Sequence, residues 1–128
     1  MDLRAARLAL ADLLIVETKV TVIPHPPRVT NTPVTIFFGA MSGNRETQDG
    51  GELATIPVLV LIPATTNDQY DVLDEFIDGP KSIVDIIDAN PNPVDDVTFS
   101  ISGEWSIELA EVAGTSYLAA VFKVEARF

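Results

Sequence analysis

The stretch that decides the fold is Val97–Leu109, VTFSISGEWSIEL, read together with Leu118–Phe128, LAAVFKVEARF. In the first, Val97, Phe99, Ile101, Trp105, Ile107 and Leu109 are apolar, and Thr98, Ser100, Ser102, Glu104, Ser106 and Glu108 are polar. The alternation keeps its parity across Gly103, which predicts one long strand with a glycine bend rather than two short ones. At about 3.3 Å per residue it spans roughly 40 Å. The second stretch carries Leu118, Ala120, Phe122, Val124, Ala126 and Phe128 on one face. Its other face is Tyr117, Ala119 and Val121, then charged Lys123, Glu125 and Arg127. Both apolar faces are expected to share one core, so Trp105 and Phe122 are both expected inside. Apolar residues on both faces of a strand need cover on both faces. Helices of the same chain supply one cover. The other is expected from a second subunit, which makes Tyr117, Ala119 and Val121 the candidate subunit interface.

Working outward, Leu3–Val16 reads as a helix capped by Asp2. Leu3, Ala6, Leu10, Leu13 and Leu14 form its stripe, but Ala5, Leu8, Ala9, Ala11 and Ile15 fill most of the remaining surface. A helix this apolar is covered on more than one side. Strand signals follow at Thr18–Ile23, then the stiff Pro24-His25-Pro26-Pro27-Arg28, then a strand at Pro33–Phe38. Gly39–Gly51 (GAMSGNRETQDGG) is glycine-rich and polar, and predicts a mobile excursion that becomes ordered against a partner. Met41, Asn44, Arg45 and Glu46 are its candidate contact residues. Glu52–Ile62 predicts a central strand ended by Pro63, with Pro57 marking an edge contact or a bulge. Thr66 and Gln69 have capping-box spacing for a helix with Val72, Leu73, Phe76 and Ile77 on its stripe. Gly79-Pro80 interrupts that stripe and Ile83, Val84, Ile86 and Ile87 resume it, which predicts a kink or short break. Asn90-Pro91-Asn92-Pro93 ends the helical region, and Ala113-Gly114-Thr115 turns between the last two strands. The expected fold is α+β: one domain over residues 1–128, with a twisted, largely antiparallel sheet and two helices packed on one face.

Composition narrows the function. The 128 residues are 47% hydrophobic and contain no cysteine, which excludes disulfides, thiol nucleophiles and thiolate metal sites. No apolar run reaches the roughly 18–20 residues of a membrane-spanning helix. Arg4 and Arg7 precede apolar residues as in a signal peptide, but Asp2 and Asp12 interrupt the pattern and no small-residue cleavage site follows. The net charge is −11. Nine acids stand between Asn67 and Asp96 against the single Lys81. That balance opposes phosphate neutralisation, so DNA is expected only as passing cargo, without sequence-specific binding.

A catalytic set is not legible. His25 is the one histidine and sits between prolines, with no nucleophile motif near it. The glycines lack the spacing and lysine of a phosphate-binding loop. Asp71, Asp74, Asp78, Asp85 and Asp88 share helical spacings, and Asn90, Asn92, Asp95 and Asp96 carry oxygen ligands. No calcium-loop motif joins them, so the acidic segment Asp68–Asp88 reads as a solvated face. No enzyme activity, cofactor or metal is expected.

The chain resembles the tail terminator (tail completion) proteins of long-tailed bacteriophages, those of actinobacterial phages above all. The resemblance is carried by the opening Met1-Asp2-Leu3-Arg4-Ala5-Ala6-Arg7-Leu8-Ala9, by Val22-Ile23-Pro24-His25-Pro26-Pro27-Arg28, and by the close from Val97 through Gly114-Thr115-Ser116-Tyr117-Leu118 to Phe128. It covers most of the chain as a pattern, with Gly39–Gly51 outside it. It implies a virion protein, made in the host cytoplasm, that forms a ring, usually of six copies, on the head-proximal end of the tail tube. Such a ring ends tube polymerisation and presents a surface to the head-closure proteins. The implied partners are the chain itself, the major tail tube protein and a head-closure or neck protein. The family has no catalytic residues. Two other readings compete: a neighbouring head-closure or connector protein of the phage neck, and a small soluble ligand-binding or enzyme domain.

Overall fold

A computed structural model describes residues 3–24, 34–45, 52–63, 69–93, 97–112 and 114–128. The elements run α1 (Leu3–Thr18), β1 (Thr21–Ile23), β2 (Thr35–Phe38), β3 (Ser42–Arg45), β4 (Glu52–Pro63), α2 (Gln69–Ile77), α3 (Ile83–Ala89), β5 (Thr98–Val112) and β6 (Thr115–Arg127). Among the described residues one sheet has the order β1-β2-β4-β6-β5, with β3 also paired to β4. Only β1 and β2 run parallel; every other pair is antiparallel. The protein is a single small α+β domain, as its sequence pattern predicts.

All three helices share one face. Ala6, Leu10 and Leu14 of α1, Leu73 and Phe76 of α2, and Ile83 and Ile87 of α3 join one buried cluster with Ile36, Phe38, Ile56, Val58, Val60, Phe99, Phe122 and Val124 of the sheet. The even-numbered face of β6 is buried from Leu118 to Ala126, as its alternation predicts. The helix predicted to kink at Gly79 is broken there into α2 and α3. Ser82 caps α3: its hydroxyl accepts from the Asp85 N–H (3.3 Å) and donates to the Ile77 carbonyl (3.3 Å). Ser82→Ala is expected to lower stability by about 1 kcal/mol in chemical denaturation, because a buried cap loses its acceptor. An unchanged midpoint would show that the cap is idle.

α1 ends differently. Lys19 adopts φ +58°, and its N–H donates to the Ile15 carbonyl (2.9 Å). The Thr18 hydroxyl donates to the Leu14 carbonyl (2.6 Å) and accepts from the Val20 N–H (3.3 Å). A left-handed residue stops the helix here, and lysine bears a steric cost that glycine avoids. Lys19→Gly is therefore expected to raise the denaturation midpoint, through a gain of up to about 1 kcal/mol in unfolding free energy. A lowered midpoint would show that this turn imposes no strain on Lys19.

Two bulges shape the sheet. Phe38 pairs with Val58 and Ser42 with Thr55, so β2 and β3 form one bent strand with a single extra residue between them. The bend sits opposite Pro57, whose carbonyl accepts from the Gly39 N–H (2.8 Å). In an antiparallel strand a residue's N–H and C=O point to the same side, so the proton that proline lacks is missing at this point of the β2–β3 contact. The extra residue accommodates that gap, and Pro57 marks a bulge as its sequence position suggests. A Cβ at Gly39 would stand 3.1 Å from Leu59 Cδ1 and 3.1 Å from Pro57 Cβ, so the bend also needs the small residue.

The same observation corrects the reading of Gly39–Gly51 as a mobile excursion: Ser42–Arg45 is a strand paired with Glu52–Thr55. Residues 46–51, Glu46 included, lie outside the described residues, as do His25, the Asp2 cap, Thr66, Asp95 and Asp96.

The second bulge lies in β5. Ile101 pairs with Val124 and Trp105 with Phe122, so β5 takes four steps where β6 takes two. An insertion of two residues is even, and side chains return to their original faces after it. That is why the alternation survives Gly103. The Ser102 hydroxyl accepts from the Glu104 N–H inside the bulge (3.2 Å), satisfying a main-chain donor freed by it.

Candidate assembly surfaces

Paired residues of an antiparallel sheet point to the same side. Trp105 is paired with Phe122 and Leu109 with Leu118, and both partners belong to the helix-side core. Trp105 and Leu109 thus face the helix side, as their parity predicts. Yet Trp105 is 48% exposed and Leu109 81%. The expectation that Val97–Leu109 is core along its whole length holds for Val97 and Phe99, which are buried, holds in part for Ile101 and Ile107, which pack half-buried against the core, and fails for Trp105 and Leu109. The physical reason is the helix layer. α3 packs on β5, and α2 packs on β4 and β6, but on the second half of β5 only Ile107 is half-buried against the core, and Trp105 and Leu109 are left exposed.

That half is also open at its edge. Near the start of β5 the outer edge is occupied: the Phe99 N–H donates to the Pro91 carbonyl (2.7 Å), and the Thr98 hydroxyl donates to Asn92 Oδ1 (3.0 Å). From Trp105 onward β5 is paired with β6 alone among the described residues. Glu104, Glu108 and Glu111 are exposed along this stretch, and charges of this kind discourage indiscriminate strand pairing.

The second uncovered surface is on α1. Leu8 is 39% exposed, Ile15 41% and Val16 68%. Ala9, Asp12, Leu13, Val16 and Pro93 line a shallow groove beside them. A helix apolar around most of its circumference is predicted to need a second cover, and the single chain leaves that side open. α1 packs on β1, the edge strand at one end of the sheet order, whereas β5 is the edge strand at the other.

The face of the sheet opposite the helices corrects the predicted interface. Tyr117 is 3% exposed and Ala119 1%, packed in a second cluster with Phe37 and Leu61. The single chain already covers Tyr117 and Ala119, so neither has surface left to offer a neighbouring subunit. Val121 is half-buried and borders a small hollow with Glu104, Trp105, Ser106 and Lys123. A strand apolar on both faces demands cover, but the sequence pattern does not say that the cover is intramolecular. The predicted contact residues fare differently from one another. Met41 packs half-buried against the helix-side core, and Asn44 and Arg45 lie in β3, where only their backbone is described.

Asp71, Asp74, Glu75 and Asp78 line an open depression on α2, and no group of three or more metal-ligating side chains converges among the described residues. No described helix is long and apolar enough to cross a membrane. No protein-family model and no curated protein matches this chain.

Proposed function

We propose that this chain is a structural subunit of a ring, most simply of six copies, that caps the head-proximal end of a phage tail tube. There it would end tube polymerisation and join the tail to the head-closure proteins, while DNA passes as cargo. One observation carries the reading: two uncovered apolar surfaces of different shape lie on different elements of one subunit, α1 and the second half of β5. A two-fold contact between unlike patches needs both on one continuous face, and these lie toward opposite ends of the sheet order, α1 beside β1 and the other on β5. They favour head-to-tail association, which closes into a ring when the rotation per subunit allows. Large exposed apolar residues grouped on a small domain point to a protein partner. The acidic surface of α2 suits a molecule beside which DNA moves without adhering. The resemblance to tail terminators supplies the tube as the object that the ring caps.

Removing this protein from the phage that encodes it tests the reading. The result expected is tails of uncontrolled length that fail to join heads, restored by supplying the chain in trans. Tails of normal length joined to filled heads in its absence would overturn it.

A further inference from the structure

We infer that the two apolar surfaces are partners: the outer face of α1 of one copy seats on the uncovered second half of β5 of the next, completing the helix layer there. The inference rests on the self-association in the reading above and not on the tail tube. At 100° per residue Arg4, Leu8 and Ile15 fall within about 40° of one another, forming one row on the exposed side of α1. On β5, Trp105, Ile107, Leu109 and Glu111 form one row by alternation. Leu8 and Ile15 are about 10 Å apart along the helix, and Leu109 and Trp105 about 13 Å apart along the strand. Beyond Leu8, Arg4 lies about 6 Å further on; beyond Leu109, Glu111 lies about 7 Å further on. Both charged residues are exposed. A helix running antiparallel to β5 therefore sets Leu8 against Leu109, Ile15 against Trp105, and Arg4 against Glu111. The apolar ends match and the charged ends are opposite in sign. The rival geometry, edge-to-edge pairing of two β5 strands, would gather Glu104, Glu108 and Glu111 of both copies along one seam, and like charges across a strand pair are unfavourable.

The test uses Leu8→Asp and Leu109→Asp, both at exposed positions, with unchanged denaturation midpoints as the check on folding. Sedimentation velocity is measured for the wild type, each variant and their mixture. The wild type is expected to associate and each variant alone to remain monomeric. The mixture is expected to give a one-to-one dimer and nothing larger, because each variant keeps one intact surface. Arg4→Glu and Glu111→Arg are each expected to weaken association roughly tenfold, and the two combined in one chain to restore it. A mixture that stays monomeric while the wild type associates overturns the contact. So does either aspartate variant associating like the wild type, or a wild type that is monomeric at about 1 mM. Tube length does not enter this experiment, so loss of capping with the contact intact would strike only the functional reading.

Discussion

Replacing Phe122 with serine is expected to lower the stability of the domain by about 4 kcal/mol, within the range seen when a buried aromatic side chain is truncated. Phe122 is fully buried in β6, which lies between β4 and β5, and is paired with Val58 on one side and Trp105 on the other. Serine leaves a cavity between the sheet and the helices and places a hydroxyl where little can bond to it. Trp105→Ser is the control. Trp105 faces the same side of the sheet but is 48% exposed, so its loss is expected to cost only about 2 kcal/mol, half the loss at Phe122. Denaturant unfolding of both variants measures the difference. Equal losses would mean that the second half of β5 is covered in the isolated chain after all.

Gly79→Ala is expected to be the most damaging conservative change, at about 2 kcal/mol. A Cβ at Gly79 would lie 2.7 Å from Glu75 Cα and 3.0 Å from the Glu75 carbonyl oxygen. These are backbone atoms of the last turns of α2 and cannot rotate away. The same carbonyl accepts from the Lys81 N–H (3.1 Å), and the Gly79 carbonyl accepts from the Ser82 N–H (3.1 Å). Moving Glu75 to admit a methyl group would pull apart the turn that sets α3 against the sheet. The exposed Lys81–Glu75 ion pair, 3.8 Å long, is too weak to hold it. A wild-type midpoint for Gly79→Ala would show that α2 and α3 move independently at this junction.

Alternation and glycine placement carry most of the fold. The parity of β5 and β6 fixed which side of each strand faces the core, and the break at Gly79 was visible because helical stripes resume on the far side of it. Parity does not say what lies above a strand. Trp105 and Leu109 have the same pattern as Phe99, and only the reach of the helix layer separates core from surface. Tyr117 and Ala119 pose the converse case, since an apolar outer face reads the same whether the chain or a neighbour covers it. β3 was hidden because Ser42-Gly43-Asn44-Arg45 has little strand propensity; main-chain pairing with β4 holds it in place. Pro57 was the one local sign that the neighbouring strand bends. Of the two uncovered apolar surfaces, the α1 side was legible, because a stripe that fills the circumference cannot all be buried against one sheet.

The proposed capping role is tested most directly by growing tail tubes from purified tube subunit encoded in the same genome, with and without this protein, and measuring their lengths by electron microscopy. Capping by a closed ring should stop growth and leave ring-shaped density at one end of each tube. Tubes that reach the same lengths in both cases, with bare ends, would contradict it.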